Sequence, residues 1–165
     1  MRICEQVYVS APAESVWSII ADPARYLDFM SGVTRWEVAS AEPSGLGARY
    51  RMLMRVGSAD VGGLIEIVEF TEPRDLAWTS VTGLDQRGRW RLRTTPDGRT
   101  RVELRLAYGV AGSGLAGWIA EHIAAPTVAA NLRRSLQQLK RVVEHEQLRD
   151  RAAERRAARA GQRAG

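Results

Sequence analysis

The apolar residues of this chain change their spacing once, and that change limits what the chain can fold into. From Val33 to residue 110 they recur at every second position, whereas from Leu115 to Val143 they step by three and four. A period of two belongs to a half-buried strand and a period near 3.6 to a helix. The first region holds strand-like runs at residues 33–40, 48–56, 61–71, 76–82, 87–94 and 100–110. The breaks between them carry turn chemistry, such as Pro43-Ser44-Gly45, Gly57-Ser58, Pro73-Arg74-Asp75 and Pro96-Asp97-Gly98. None is long enough for a crossover helix, so the runs form an antiparallel meander.

Ahead of the meander, residues 2–10 alternate with Ile3, Val7 and Val9 and form one more strand. Pro12 suits a first helical turn, and Val16, Trp17, Ile19 and Ile20 follow as a short helix. Asp22 then caps a second short helix that starts at Pro23 and stops at Ser31-Gly32. The late stripe of Leu115, Trp118, His122, Ala125, Ala129, Leu132, Leu136, Leu139 and Val143 is one face of a long helix. The expected fold is therefore α+β: a curved seven-stranded antiparallel sheet wrapped around a long C-terminal helix, with two short helices after the first strand. A sheet curved around a single helix tends to leave a cavity.

With 165 residues, the chain fits one domain. Residues 1–146 are expected to be the globular part and residues 147–165 an Arg/Ala-rich tail, helical or disordered, with little to bury. The formal charge of +5 points at first to nucleic acid. Yet six arginines lie beyond residue 148 against only Asp150 and Glu154, so the globular part is nearly neutral. No specific nucleic acid is expected, and weak contact with a membrane surface falls to the tail. Lys140 is the sole lysine among many arginines, as in a high-GC bacterial genome. Cys4 is the single cysteine, which excludes an internal disulfide and suits a reducing cytoplasm. No signal-like or membrane-spanning apolar run is seen. Neither cofactor nor metal is expected, because Gly62-Gly63 lacks a following helix and lysine, and the second histidine, His145, lies past the packed helix.

Alternation also assigns the two faces of the sheet. Tyr50, Met52 and Met54 oppose Arg49, Arg51 and Arg55; Trp90 and Leu92 oppose Arg89, Arg91 and Arg93; Val102, Leu104, Leu106 and Tyr108 oppose Arg101, Glu103 and Arg105. The arginines are thus the outer, solvated face of a hairpin turning at Pro96-Asp97-Gly98. Trp36 and Trp78, read as lying on neighbouring strands, converge with Trp118 of the helix as core filling or pocket lining. His122 lies on the helix stripe four residues before Pro126, which removes the hydrogen bond to its carbonyl and should kink the helix. With Gly112, Gly114 and Gly117, this would make a flexible mouth. Glu66 is a conditional candidate, because VGGLIEIVEF is apolar in both phases. Facing inward, it would be a buried carboxylate fit for acid-base work with Tyr108 or His122; otherwise it faces solvent or pairs with an arginine of the next strand.

The chain resembles the START-like polyketide cyclase/dehydrase (SRPBCC) superfamily, which has the helix-grip fold. The residues carrying the likeness are VYVSAP at 7–12 with Val16 and Trp17, ADPARY at 21–26, GARYRM at 47–52, EFTEPRDLAW at 69–78, TRVEL at 100–104 and SLQQLK at 135–140. The resemblance implies a cavity between sheet and C-terminal helix that holds a hydrophobic ligand such as a polyketide, sterol, lipid or quinone. It gives no residue a catalytic role.

The resulting expectation is a carrier or sensor, monomeric or homodimeric, that binds a hydrophobic small molecule. Its lining would comprise Trp36, Tyr50, Met52, Met54, Trp78, Trp90, Leu92, Leu104, Leu106, Tyr108, Trp118 and His122. The alternatives are a cyclase or dehydratase using Tyr108, His122 and Glu66 as proton donors and acceptors, and an adaptor meeting anionic membrane or RNA through the tail.

Overall fold

The computed structural model describes the backbone of residues 1–109 and 114–163, and the side chains of residues 1–109 and 125–160. Strand β1 (Arg2–Val9) is followed by helix α1 (Ala13–Ile20), a single 3-10 turn (Pro23–Arg25) and helix α2 (Tyr26–Phe29). Six strands come next: β2 (Val33–Val38), β3 (Arg49–Val56), β4 (Ala59–Thr71), β5 (Asp75–Gly83), β6 (Asp85–Thr94) and β7 (Thr100–Gly109). Helix α3 (Gly114–Arg163) ends the described chain.

All seven strands form one antiparallel sheet in the order β1-β7-β6-β5-β4-β3-β2. The meander expected from residue 33 onward is present. β1 joins it at the far edge, with Val7 opposite Val102 and Val9 opposite Thr100. The short helices explain how the chain returns to the opposite edge: the Asp22 carboxylate accepts from the Ala24 amide, and Pro23 opens the 3-10 turn.

Curvature comes from β4. Its pairing with β5 shifts register between Leu64 and Ile65 and again between Ile67 and Glu69. Bulges of this kind bend the bulged strand and increase its twist. At Gly62 and Gly63 the neighbouring strands come so close that a Cβ would collide with the backbone carbonyls of Met52 and Thr82. These glycines are thus a corner of the sheet.

The core lies on the inner face, between the sheet and α3, with α1 and α2 closing one side. On α3 the buried apolar residues are Val128, Leu132, Leu136, Leu139 and Val143. The expected stripe is correct from Leu132 onward, but Ala125 and Ala129 are only half-buried and Val128 takes the inward position. Two polar residues, Asn131 and Ser135, are buried on the same face. Ser135 Oγ accepts from the Ser31 amide at 2.8 Å and donates to the Asn131 carbonyl at 2.8 Å. Gly32, at φ +82°, lets the turn pass directly over the Asn131 side chain. The α2-β2 turn is thereby pinned to α3.

Helix α3 continues through Pro126 and on to Arg163. Past residue 147 its described side chains are exposed, apart from half-buried Ala152. Residues 147–163 continue the helix, as suits a segment of alanine, arginine and glutamate, which are strong helix formers.

Candidate functional site

The inner face is built as alternation predicts. Tyr50, Met52, Met54, Trp78, Trp90, Leu92, Leu104, Leu106 and Tyr108 are all buried. The outer face carries their arginine neighbours, five of which are held in ion pairs on β3 and β6: Arg49 with Glu66 (2.6 Å), Arg55 with Asp60 (2.8 Å), Arg89 with Glu69, and Arg91 and Arg93 with Asp75 (3.2 and 3.0 Å).

The aromatic side chains do not converge as a single set. Trp36 and Trp78, expected on neighbouring strands, lie on β2 and β5 with two strands between them. Trp36 instead stacks with two tyrosines, Tyr26 of α2 at 3.9 Å and Tyr50 of β3 at 5.2 Å between ring centroids. Phe29 meets Trp90 edge-on at 6.1 Å. Helix α2 therefore fills this end of the inner face with its own rings. The Tyr50 hydroxyl donates to the Pro43 carbonyl at 2.8 Å. Burial pushes the hydroxyls of both Tyr26 and Tyr50 above the usual phenol range, so both stay protonated and neutral near neutral pH.

At the other end, Trp78 lies over Gly88, where any Cβ would collide with the indole ring. Gly88 sits between Gln86 and Trp90 in the same inward phase, and Gln86 stands opposite Tyr108 in the register of β6 and β7. Gln86 is only 3% exposed. Sequence reasoning missed it by starting this strand at Arg87. Counting back two residues from Gly88 in the phase of Trp90 and Leu92 would have found it.

Among the described residues, this apolar face carries buried donors without acceptors: Gln86 Nε2, Trp36 Nε1 and Trp78 Nε1. Trp90 Nε1 is near the Tyr26 hydroxyl, partly offsetting the upward pKa shift there, but does not reach hydrogen-bonding geometry. Leaving such a donor unpaired costs about 1–3 kcal/mol, so an acceptor brought by a ligand would recover that cost.

The conditional site residue Glu66 is not on this face. It lies opposite Arg49 in the register of β3 and β4, and its carboxylate accepts from Arg49 Nε on the outer side. The bulges in β4 set this phase, and they remove Glu66 from any acid-base role beside Tyr108. His122 and Trp118, like Gly112 and the mouth expected around it, lie outside the described side chains. No group of three metal-ligating side chains occurs among the described residues, and no described helix is long and apolar enough to cross a membrane.

A family model described as polyketide cyclase / dehydrase and lipid transport matches residues 2–144. The chain belongs to this family. As a polyketide cyclase/dehydrase and lipid-transport family member, it shares its fold with solved bacterial proteins. TTHA0849 from Thermus thermophilus is 22% identical, with a TM-score of 0.74 over 87% of this chain and 97% of that one. The Zhui aromatase/cyclase from Streptomyces sp. R1128 is 21% identical, with a TM-score of 0.73 over 87% and 93%. The di-domain aromatase/cyclase BexL of the BE-7585A biosynthetic pathway is 19% identical, with a TM-score of 0.61 over 87% of this chain and 50% of that one. At these identities the likeness is one of fold. No curated protein sequence matches the chain closely enough to count as a relative. The family member is thus a helix-grip α+β domain of the kind that binds hydrophobic ligands or cyclises them.

Proposed function

We propose that this protein binds a hydrophobic small molecule bearing acceptor oxygens, a polyketide-like or quinone-like compound, between the inner face of the sheet and α3, as a carrier or sensor. The observation that carries this reading is the buried, unpartnered Nε2 of Gln86 on a largely apolar face, together with the unpartnered indole N–H of Trp78, whose ring lies over Gly88. A plain hydrocarbon chain would leave both donors unpaired, whereas a ligand with carbonyl oxygens would satisfy them. The test is a paired titration followed by tryptophan fluorescence, with naphthoquinone and naphthalene as probes. Naphthoquinone is expected to bind more tightly, and Gln86→Leu is expected to weaken it about three- to tenfold, as befits one hydrogen bond, while leaving naphthalene unchanged. Equal affinity for both probes in the wild-type protein would refute the reading.

A cyclase or dehydratase is the second reading, favoured by the buried Tyr108 directly opposite Gln86. Here Tyr108 would exchange a proton with a bound keto group, and His122 would be its expected partner. With a poly-β-ketone as substrate, Tyr108→Phe should abolish turnover and leave binding of the naphthoquinone probe within about twofold, because only the hydroxyl is removed.

A further inference from the structure

The outer face of the sheet has a hollow of about 590 Å³ that the binding of a ligand on the inner face does not use. Its floor consists of small side chains, Ala77, Thr79 and Ala107, together with the backbone at Gly88. Its rim carries four arginines, Arg2, Arg87, Arg89 and Arg105. Val68, pushed outward by the bulge in β4 and 49% exposed, forms one wall.

The charge pattern here costs the folded state energy. Arg89 and Arg105 stand directly opposite each other on β6 and β7, and like charges in that position repel. Arg89 is paired with Glu69, and Arg105 with Glu103 at 2.6 Å. Arg87 and Arg2, which flank Ala107 from either side in register, have no acidic partner among the described residues. Asp85, beyond Arg87, accepts instead from the Ser80 hydroxyl at 3.4 Å. Four guanidiniums thus face one hollow against two carboxylates, and two of their forks are free.

We infer that this hollow is a binding site for a small organic phosphate. Free guanidinium forks match phosphate oxygens in pairs, and convergent ones favour a multiply charged group over a single carboxylate. The volume exceeds that of inorganic phosphate and lies within the range of about 300–1,000 Å³ typical of small-molecule sites, so room remains for an attached group. The small floor residues suit a flat one. Glu69 and Glu103, paired with the rim residues Arg89 and Arg105, repel an extended polyanion running across the face, which favours a compact ligand over nucleic acid.

Cys4 provides a reporter, since it is the chain's single cysteine, is exposed and lines the hollow opposite Arg105. Its thiolate attacks dithiobis(nitrobenzoate), forming a mixed disulfide and releasing coloured thionitrobenzoate, and neutral dithiodipyridine provides the uncharged comparison. Addition of ADP or pyrophosphate is expected to slow the reaction of Cys4 with both reagents, and protection by pyrophosphate alone would show that the phosphates suffice. Arg87→Ala should weaken that protection about tenfold. Arg51→Ala, an equal charge change at an exposed site on β3, should leave it unaltered. Absence of protection by either compound at millimolar concentration overturns the inference, as does equal loss in both variants. Gln86→Leu, which acts on the inner face, should not alter protection, so the outer site and the inner ligand site fail or stand separately.

Discussion

Asp75 shows how the outer face stabilises the fold at the level of one residue. Its carboxylate is almost buried at the start of β5, and Arg91 and Arg93 approach it from β6 at 3.2 and 3.0 Å. Burial alone would raise its pKa; hydrogen bonds and charge from Arg91 and then Arg93 outweigh burial and hold it below the usual carboxylate range. A group whose folded pKa is depressed adds stability above its unfolded value, and that stability is lost as pH falls through the folded value. Asp75→Asn should therefore cost about 1.5–3 kcal/mol at neutral pH, the range for hydrogen bonds to charged groups. The difference from wild type should shrink as the pH drops below about 4 and vanish below the folded pKa. Urea denaturation of both proteins at neutral and acid pH measures this, and a cost independent of pH would mean that packing rather than charge had been lost.

The elements show where residue patterns lead reliably to structure and where they do not. Strands β3, β6 and β7 alternate between apolar residues and mostly charged ones, so a period of two assigns most of their inner faces. Strand β4 is illegible for a physical reason: its run is apolar in both phases, and two bulges reset the register on either side of Glu66. The first described turns of α3 mislead because alanine suits either face, whereas Asn131 and Ser135 are buried by a specific anchor to Ser31 and Gly32 that no hydrophobic scale registers. Gln86 escapes for a similar reason, being polar at an inward position near a strand end. The close fit of β5 on β6 gives a test at this scale. Gly88→Ala places a methyl where the Trp78 ring lies, so either the ring or the strand must shift. Overpacking of this kind costs about 1–3 kcal/mol, and here it also displaces an indole beside Gln86. A drop in thermal midpoint together with altered near-UV dichroism is expected, and an unchanged spectrum would mean that Trp78 is already free to move.

At the scale of the whole molecule, charge and burial are segregated along the chain. Among the described residues, the last hydrogen bonds from α3 to the other elements join Arg25 to Glu146 at 2.7 Å and the Ser15 hydroxyl to Gln147 at 3.0 Å. One residue later Leu148 is already 63% exposed, and α3 runs on to Arg163 with no large apolar residue after Leu148. A helix whose only apolar residues are alanines has little apolar face with which to dock, so helix propensity mainly holds it, and a single helical segment of this length is marginal in water. Deleting residues 149–165 should consequently change stability by no more than about 0.5 kcal/mol, the range for surface changes, and leave naphthoquinone binding as it was. In the full-length chain, amides of residues 150–163 should exchange with solvent far faster than those of residues 128–143, which face the sheet. The deletion also tests the tail as an adaptor: the charge it removes should abolish any salt-sensitive attachment to vesicles containing anionic lipid. A loss of several kcal/mol would contradict this division and would mean that the projecting helix is packed against a second copy of the chain.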